Sequence, residues 1–278
     1  MARDVAEAAH RTVGSVNAAA RPAEPRLVFI HIPKCAGSAV ARAIRRAYFP
    51  VHRELLSRFR GRPGYAYDAI PIEASYETAR SLGLNLPEFH AALLFYAMGL
   101  PKNGFISGHV PFSCAAANTF GDQWQFITIL REPISRFMSE YFYNRFKTSQ
   151  YFRIEEDLEA YLDTADARRT STQLTNFLTG RRDEYATPTA EEVESAIDNL
   201  RRFAVVGFLE DMERFADDMA ARFGRRPAIP HTNRNPAPEG ARKREIDPML
   251  RERIAELSAA DVEIYRRAQQ MFGCGRGW

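Results

Sequence analysis

Arg26-Leu-Val-Phe-Ile-His-Ile32, followed at once by Pro33-Lys-Cys-Ala-Gly-Ser38, decides the fold of this chain. The first segment is short, apolar and rich in β-branched and aromatic residues, as is typical of a strand buried in a parallel sheet. The second contains proline and glycine, which favour a tight turn. From Ala39 to Tyr48 apolar residues recur at helical spacing,. The stretch therefore predicts a strand, a tight loop and a helix in direct succession.

Strands and helices alternate along the rest of the chain. Further strands are predicted at 104–110, 123–130 and 203–208. Helices are predicted at 86–98, from 133 through 142, and at 190–201, 210–223 and 248–272. This alternation predicts an α/β fold, a single P-loop-like domain with a central parallel sheet flanked by helices. We expect residues 1–24 to form a flexible tail and residues 25–278 to form the domain.

The composition is that of an ordinary globular protein, with 45% hydrophobic and 26% charged residues,. The 38 basic and 35 acidic residues nearly balance, so the charge gives no argument for a nucleic-acid partner and we expect none,. Cys35, Cys114 and Cys274 fit neither a disulfide framework nor a zinc motif,. The best apolar run, 89–100, is too short to span a membrane,. We therefore expect a cytoplasmic protein with no metal and no membrane span.

The loop at 33–38 has the character of a phosphate cradle. The start of a helix presents free N–H groups and a positive dipole end, and both attract phosphate. Lys34 adds a positive charge, Gly37 permits close backbone approach and Ser38 offers a hydroxyl. The lysine precedes the glycine and no first glycine is present, so the loop does not match the nucleotide-triphosphatase motif.

The segment Phe29-Ile-His-Ile-Pro-Lys-Cys-Ala-Gly-Ser38 resembles the 5′-phosphosulfate loop of the carbohydrate sulfotransferases, the group that includes heparan sulfate 2-O-sulfotransferases. These enzymes move a sulfuryl group from 3′-phosphoadenosine 5′-phosphosulfate (PAPS) to an acceptor hydroxyl. The resemblance implies that Lys34 lies near the bridging oxygen of the phosphosulfate and that loop amides hold the 5′-phosphate. The implied binding residues are Lys34, Cys35, Ala36, Gly37, Ser38 and Ala39. Cys35 is expected to contribute its N–H rather than act as a nucleophile.

The segment from Ile127 to Tyr141 resembles the 3′-phosphate motif of the same family. The resemblance assigns the 3′-phosphate to Arg131 at the strand end and to Ser139 eight residues later. A serine two turns into a helix can face back toward the strand end, and a guanidinium suits phosphate. The alternative for Arg131 is an ion pair with Glu132 or Glu140. Two phosphate sites would distinguish PAPS from ATP.

Sulfuryl transfer needs a base for the acceptor hydroxyl and a cation for the leaving oxygen. Lys34 is the candidate cation. His109 is the candidate base, because its Gly-His-Val segment resembles the one that carries the catalytic histidine in the 2-O-sulfotransferases. Those relatives have another histidine two residues earlier, where this chain has Ser107. A structural or acceptor-positioning role for His109 stays open, and His31 is expected to be packed within the first strand.

Some assignments stay open. The segment 50–103 is expected to shape the acceptor site, and its carboxylates are alternative bases: Glu54, Asp68, Glu73 and Glu88. Arg242 and Lys243 either close over the 3′-phosphate or belong to a solvated basic run. Arg136 is expected to be solvated or to pair along its helix.

The sequence thus predicts a PAPS-dependent sulfotransferase that transfers the group directly, in line, to an acceptor hydroxyl on a glycan or glycoconjugate. Two alternatives belong to other classes. The first is an ATP-dependent small-molecule kinase, which would require magnesium. The second is a non-catalytic nucleotide- or glycan-binding module, which would bind without turnover.

Overall fold

A four-stranded parallel sheet organises the part of the chain that the computed structural model describes, residues 25–49, 72–101, 103–230 and 247–273. The strands are β1 (Arg26–Ile30), β2 (Phe105–Gly108), β3 (Trp124–Leu130) and β4 (Phe203–Phe208). They pair in the order β2-β1-β3-β4, and every pairing is parallel. The predicted α/β fold class is confirmed.

Helices connect and cover these strands. In chain order they are α1 (Gly37–Tyr48), α2 (Ile72–Leu82), α3 (Leu86–Gly99), α4 (Cys114–Phe120), α5 (Pro133–Phe146), α6 (Leu158–Tyr161), α7 (Ala165–Ser171), α8 (Gln173–Thr179), α9 (Ala190–Leu200), α10 (Met212–Phe223), α11 (Pro248–Leu257) and α12 (Ala259–Phe272). A 3₁₀ turn at Leu209–Asp211 precedes α10. Among these described elements, none has the length and apolarity needed to cross a bilayer.

The core lies on both faces of the sheet. Residues Leu27–Ile30 of β1 are at most 1% exposed, which requires cover on each side, as in α/β proteins generally,. A second apolar cluster joins α5 to α6, α7 and α11 through Phe137, Tyr161, Ala167 and Ile254. The sheet and this cluster together hold α5 in a fixed position.

Two predicted elements differ from the structure. The strand expected at 26–32 ends at Ile30, because the chain turns out of the sheet toward Pro33, which has no N–H to donate,. The helix expected at 248–272 is broken at the fully buried Ser258. The break lets Asp261 accept hydrogen bonds from the backbone N–H groups at the start of α8, at 2.7 and 2.9 Å.

The strand order brings three carboxyl ends together. Ile30 of β1 lies in register with Gly108 of β2 and with Thr128 of β3. The residues that follow these strands therefore meet at one edge of the sheet. The chain order reverses beside β1, and ligands of open α/β sheets bind at such a point.

Candidate active site

A cavity of about 1100 Å³ opens at this edge of the sheet. It is lined by the loop after β1, the start of α1, the ends of β2 and β3, and one face of α5. The predicted site residues that line it are Lys34, Ala36, Gly37, Ser38, Ala39, His109, Arg131 and Ser139. Cys35, by contrast, is 1% exposed and belongs to the apolar core.

The loop between β1 and α1 has an unusual backbone. Lys34 and Ala36 have φ angles of 67° and 57°, in the left-handed region that non-glycine residues seldom occupy,. Such conformations cost about 1–3 kcal/mol each and cluster at functional sites. Ala36 is the N-cap of α1 and gives it no side-chain cap. The N–H groups of Gly37 and Ser38 thus meet no capping side chain, whereas the N–H of Ala39 donates to the Ala36 carbonyl at 3.0 Å.

Gly37 is required by the close approach of a histidine ring. A Cβ atom at this position would lie 1.8 Å from Cδ2 of His31. The sequence predicted that His31 is packed within the first strand, and this prediction is wrong. His31 follows the strand, lines the cavity and lies against the first turn of α1.

His109 is oriented as a proton acceptor. Its Nδ1–H donates to the backbone carbonyl of His31 at 2.8 Å in the tautomer that such a bond selects, so Nε2 carries the lone pair,. The ring also lies 4.1 Å from the His31 ring and 6.3 Å from that of Phe177, measured between centroids. Burial lowers the pKa of His109, against the effect of the hydrogen bond to His31, so the imidazole is neutral at neutral pH,.

Lys34 places a cation in the same cavity. Its Nζ lies 3.6 Å from the ring centroid of Tyr143 on α5. Burial lowers the pKa of Lys34 to about 8, and the Glu140 carboxylate opposes that shift. The side chain is therefore largely charged at neutral pH. The Lys34 carbonyl accepts a hydrogen bond from Nη1 of Arg131 at 3.1 Å, which braces the loop against the end of β3.

The two carboxylates weighed as partners of Arg131 are engaged elsewhere. Glu132 accepts two backbone N–H groups at the start of α5, at 3.0 and 2.7 Å. Glu140 pairs with Arg136 at 2.5 Å. Arg131 is half-buried, and burial lowers its pKa. Its guanidinium thus lines the cavity without an ion pair to either of these acids.

Arg136 is wholly buried, so the expectation of a solvated side chain is wrong, while the expectation of a helix pair is right. Besides Glu140, it donates to the backbone carbonyl of Thr170 in α7. The face of α5 that carries Arg136 turns toward α7 and away from solvent, which sequence periodicity alone did not reveal. The pair links the cavity wall to the second apolar cluster.

Cys35 is a thiol and not a thiolate. Burial raises its pKa to about 12, and its Sγ lies 3.6 Å from the Pro33 carbonyl. Nucleophilic chemistry by cysteine requires the thiolate. Cys114 is also free, and Cys274 lies outside the described residues.

The far wall of the cavity contains residues that the sequence did not single out. Tyr76 of α2 contacts Tyr151 and Phe152, with ring centroids 5.1 and 5.4 Å apart. The Arg169 guanidinium lies 4.6 Å from the Phe152 ring, and Phe152 has a φ of 52°. In the sequence, only the adjacent aromatic pair Tyr151-Phe152 could have indicated this wall. The contacts of Tyr76 join residues that are up to 76 positions apart (152 minus 76).

The remaining candidates are placed as follows. Glu73 lines the cavity, whereas Glu88 pairs with Arg182 at 2.9 Å. Glu54, Asp68, Arg242 and Lys243 lie outside the described residues. Within the described ranges, no cluster of three or more His, Cys, Asp or Glu side chains could hold a metal ion.

Comparisons with known proteins give distant likenesses to solved structures. No protein-family model matches the chain, and no curated protein matches it. Among solved structures, it is similar to a sulfotransferase from Alicyclobacillus acidocaldarius, with 16% identity and a TM-score of 0.47. The match covers 89% of this chain and 96% of that one. At this identity and TM-score the function has to be argued from the geometry of the cavity.

Proposed function

We propose that this protein is a PAPS-dependent sulfotransferase that transfers a sulfuryl group directly to an acceptor hydroxyl. One observation carries the proposal. A neutral histidine, a lysine and an arginine follow three adjacent strands and line one cavity beside an uncapped helix start. These are the groups that sulfuryl transfer from a doubly phosphorylated nucleotide requires.

We propose that the cavity binds a ligand with two anionic groups, each held by its own set of residues. At one end, the N–H groups of Gly37 and Ser38 have no capping side chain, and Lys34 lies beside them. At the other, Arg131 makes no ion pair with Glu132 or Glu140, and Ser139 lies in the second turn of α5. PAPS, when bound, supplies the sulfuryl group, its leaving phosphate and a 3′-phosphate. We assign the 5′ end to α1 and the 3′ end to Arg131 and Ser139.

The chain's own residues then have distinct tasks. His109 accepts the proton of the acceptor hydroxyl at Nε2, since Nδ1 is held by the His31 carbonyl. The Lys34 ammonium offsets the charge that grows on the leaving oxygen, an effect that is larger in a half-buried site than in water. Cys35 takes no part as a nucleophile, because its thiol is protonated. The mechanism that we propose is direct transfer, without a covalent enzyme intermediate.

We further propose a saccharide hydroxyl as the acceptor. The far wall offers aromatic rings at Tyr76, Tyr151 and Phe152, beside the polar groups of Arg169 and Glu73. Apolar faces with a few hydrogen-bonding groups are the usual lining of a small-molecule site. We propose that the acceptor binds against this wall, which lines the same cavity as the start of α1.

Turnover tests this assignment. Wild-type protein is incubated with PAPS and a panel of saccharides, and sulfated products are detected by mass spectrometry. We expect product from wild type and a fall of about 10²–10⁴-fold in the His109→Asn variant, the usual contribution of a general base. Equal rates in the two proteins would remove His109 from the mechanism. Nucleotide binding without product on any acceptor would favour a non-catalytic module.

A further inference from the structure

The Lys34 ammonium rests on an aromatic ring. The distance of 3.6 Å between its Nζ and the Tyr143 ring centroid is within the range of cation–π attraction,. The backbone of Lys34 is fixed by its positive φ and by the hydrogen bond from Arg131. Tyr143 lies one turn beyond Ser139, so both side chains share the face of α5 that lines the cavity,.

Among the described residues, no carboxylate lies within 4.0 Å of the Lys34 ammonium. Glu140, the acid with the strongest electrostatic influence on Lys34, is bound to Arg136. Lys147, at the end of α5, approaches the same ring at 5.8 Å. Arg131, Arg136 and Lys147 repel Lys34 and Glu140 attracts it from a distance, while the Tyr143 ring is the group in direct contact with the ammonium.

We propose that Tyr143 is a positioning residue for Lys34, whose ammonium its aromatic face holds in the cavity without neutralising the charge. A carboxylate in this position would cancel the charge and compete with an anionic ligand. A ring attracts the ammonium more weakly and leaves it free to move to a phosphosulfate oxygen. The positioning role in catalysis rests on the proposed function, whereas the effect of the ring on Lys34 does not.

Competitive labelling of lysines measures this effect without turnover. Trace acetic anhydride is applied from about pH 6 to about pH 11, and the Lys34 peptide is quantified by mass spectrometry. In wild type the midpoint is expected at about 8. In Tyr143→Leu the charged form loses its ring, so the midpoint should fall by about 0.5–1 pH unit. Tyr143→Phe keeps the ring and should keep the wild-type midpoint.

The surrounding charges stay constant across these variants. Glu140 raises the pKa of Lys34, and Arg131, Arg136 and Lys147 lower it. The histidine rings at the ends of β1 and β2 face Lys34 from the sheet side and are also unchanged. Tyr96→Leu is the matched control, because Tyr96 is 61% exposed on α3. It should leave the midpoint where it is.

An unchanged midpoint in Tyr143→Leu, or the same fall in Tyr143→Phe, would overturn the positioning role. Tyr143→Met replaces the leucine variant if the latter does not fold, as judged by circular dichroism, and the same fall is expected. A second arm adds 3′-phosphoadenosine 5′-phosphate, which should protect Lys34 from labelling. Absence of protection would count against the proposed nucleotide site, even with a ring-dependent midpoint, so the two failures are distinguishable.

Discussion

The starts of α1 and α5 lie at the same edge of the sheet, yet only α5 has a side-chain cap. Helix α5 follows β3 and is closed by Glu132, whose carboxylate accepts two N–H groups of its first turn. Helix α1 follows β1 and has no side-chain cap, with Ala36 in a left-handed conformation and Lys34 beside it.

The difference separates stability from binding. A capping side chain contributes about 1 kcal/mol to the folded state, and the α1 loop forgoes that contribution. It also includes two residues in strained conformations. Uncapped N–H groups beside a lysine are suited to an anionic ligand. The capped start of α5 is suited to stability, and the uncapped start of α1 is suited to the anion-binding role that we propose for it.

The largest expected effect on nucleotide affinity comes from adding a capping carboxylate at the start of α1. Ala36→Asp places a carboxylate where the 5′-phosphate is expected, and aspartate tolerates the left-handed conformation of this residue,. Like charges in contact cost several kcal/mol, so affinity for 3′-phosphoadenosine 5′-phosphate should fall about 100-fold or more. Isothermal titration calorimetry measures it. Ala36→Asn, with the same shape and no charge, should lose much less; equal losses would break the comparison.

The next effect concerns the other end of the ligand. Arg131→Ala removes a charged hydrogen-bond donor and should weaken the binding of 3′-phosphoadenosine 5′-phosphate by about 10–100-fold. Affinity for adenosine 5′-phosphate should change far less, because that nucleotide lacks the 3′-phosphate. Arg131→Lys is the control that keeps the charge. Unchanged affinity of the alanine variant would remove Arg131 from the site.

Removing the cap of α5 should mainly lower the stability of the fold. Glu132→Ala removes the cap and is expected to cost about 1 kcal/mol, seen as a fall of about 2–4 °C in Tm by calorimetry. The affinity for 3′-phosphoadenosine 5′-phosphate should change far less than in Ala36→Asp, since the proposed site uses the N–H groups of α1 and not those of α5. Tighter nucleotide binding in this variant would show that any open helix start at this edge suffices.

The smallest effect is in the dependence of turnover on pH. His109 acts only when neutral, and burial puts its pKa below the ordinary value, so activity should persist somewhat below pH 6.5 before it falls,. Lys34 acts only when charged, so activity should decline as pH rises through about 8. The rate profile should therefore be bell-shaped, and His109→Asn should lack the acid limb. A profile that is flat through pH 8 would contradict the role of Lys34.

Local sequence patterns predicted the strands and loops at the edge of the sheet where the cavity opens. The loop at 33–38 and Arg131 each lie next to the strand that precedes them in the sequence, β1 and β3. The β4 strand matches its predicted bounds of 203–208. Helices α2, α4, α6, α7 and α8 were not predicted. Of these, α6, α7 and α8 are short, and α7 and α8 bury polar residues, including Thr170, Gln173 and Asn176. An amphipathic pattern cannot show such segments.

The contacts between side chains that line the cavity could not be predicted from the sequence for another reason. The contact between Lys34 and Tyr143 joins residues 109 positions apart (143 minus 34) and depends on how α5 is rotated against the sheet. The buried pair of Arg136 and Glu140 fixes part of that rotation. Sequence spacing gave the face that Ser139 and Tyr143 share, but not what that face contacts.

Thermal stabilisation tests the central claim most directly. The Tm is measured with 3′-phosphoadenosine 5′-phosphate, with adenosine 5′-phosphate and with Mg-ATP, since a ligand that binds only the folded state raises it by mass action. At about 100 times its Kd, the 3′-phosphorylated nucleotide should stabilise the protein by about 2.7 kcal/mol, well above the other two. An equal or larger rise with Mg-ATP would contradict the account and favour a kinase.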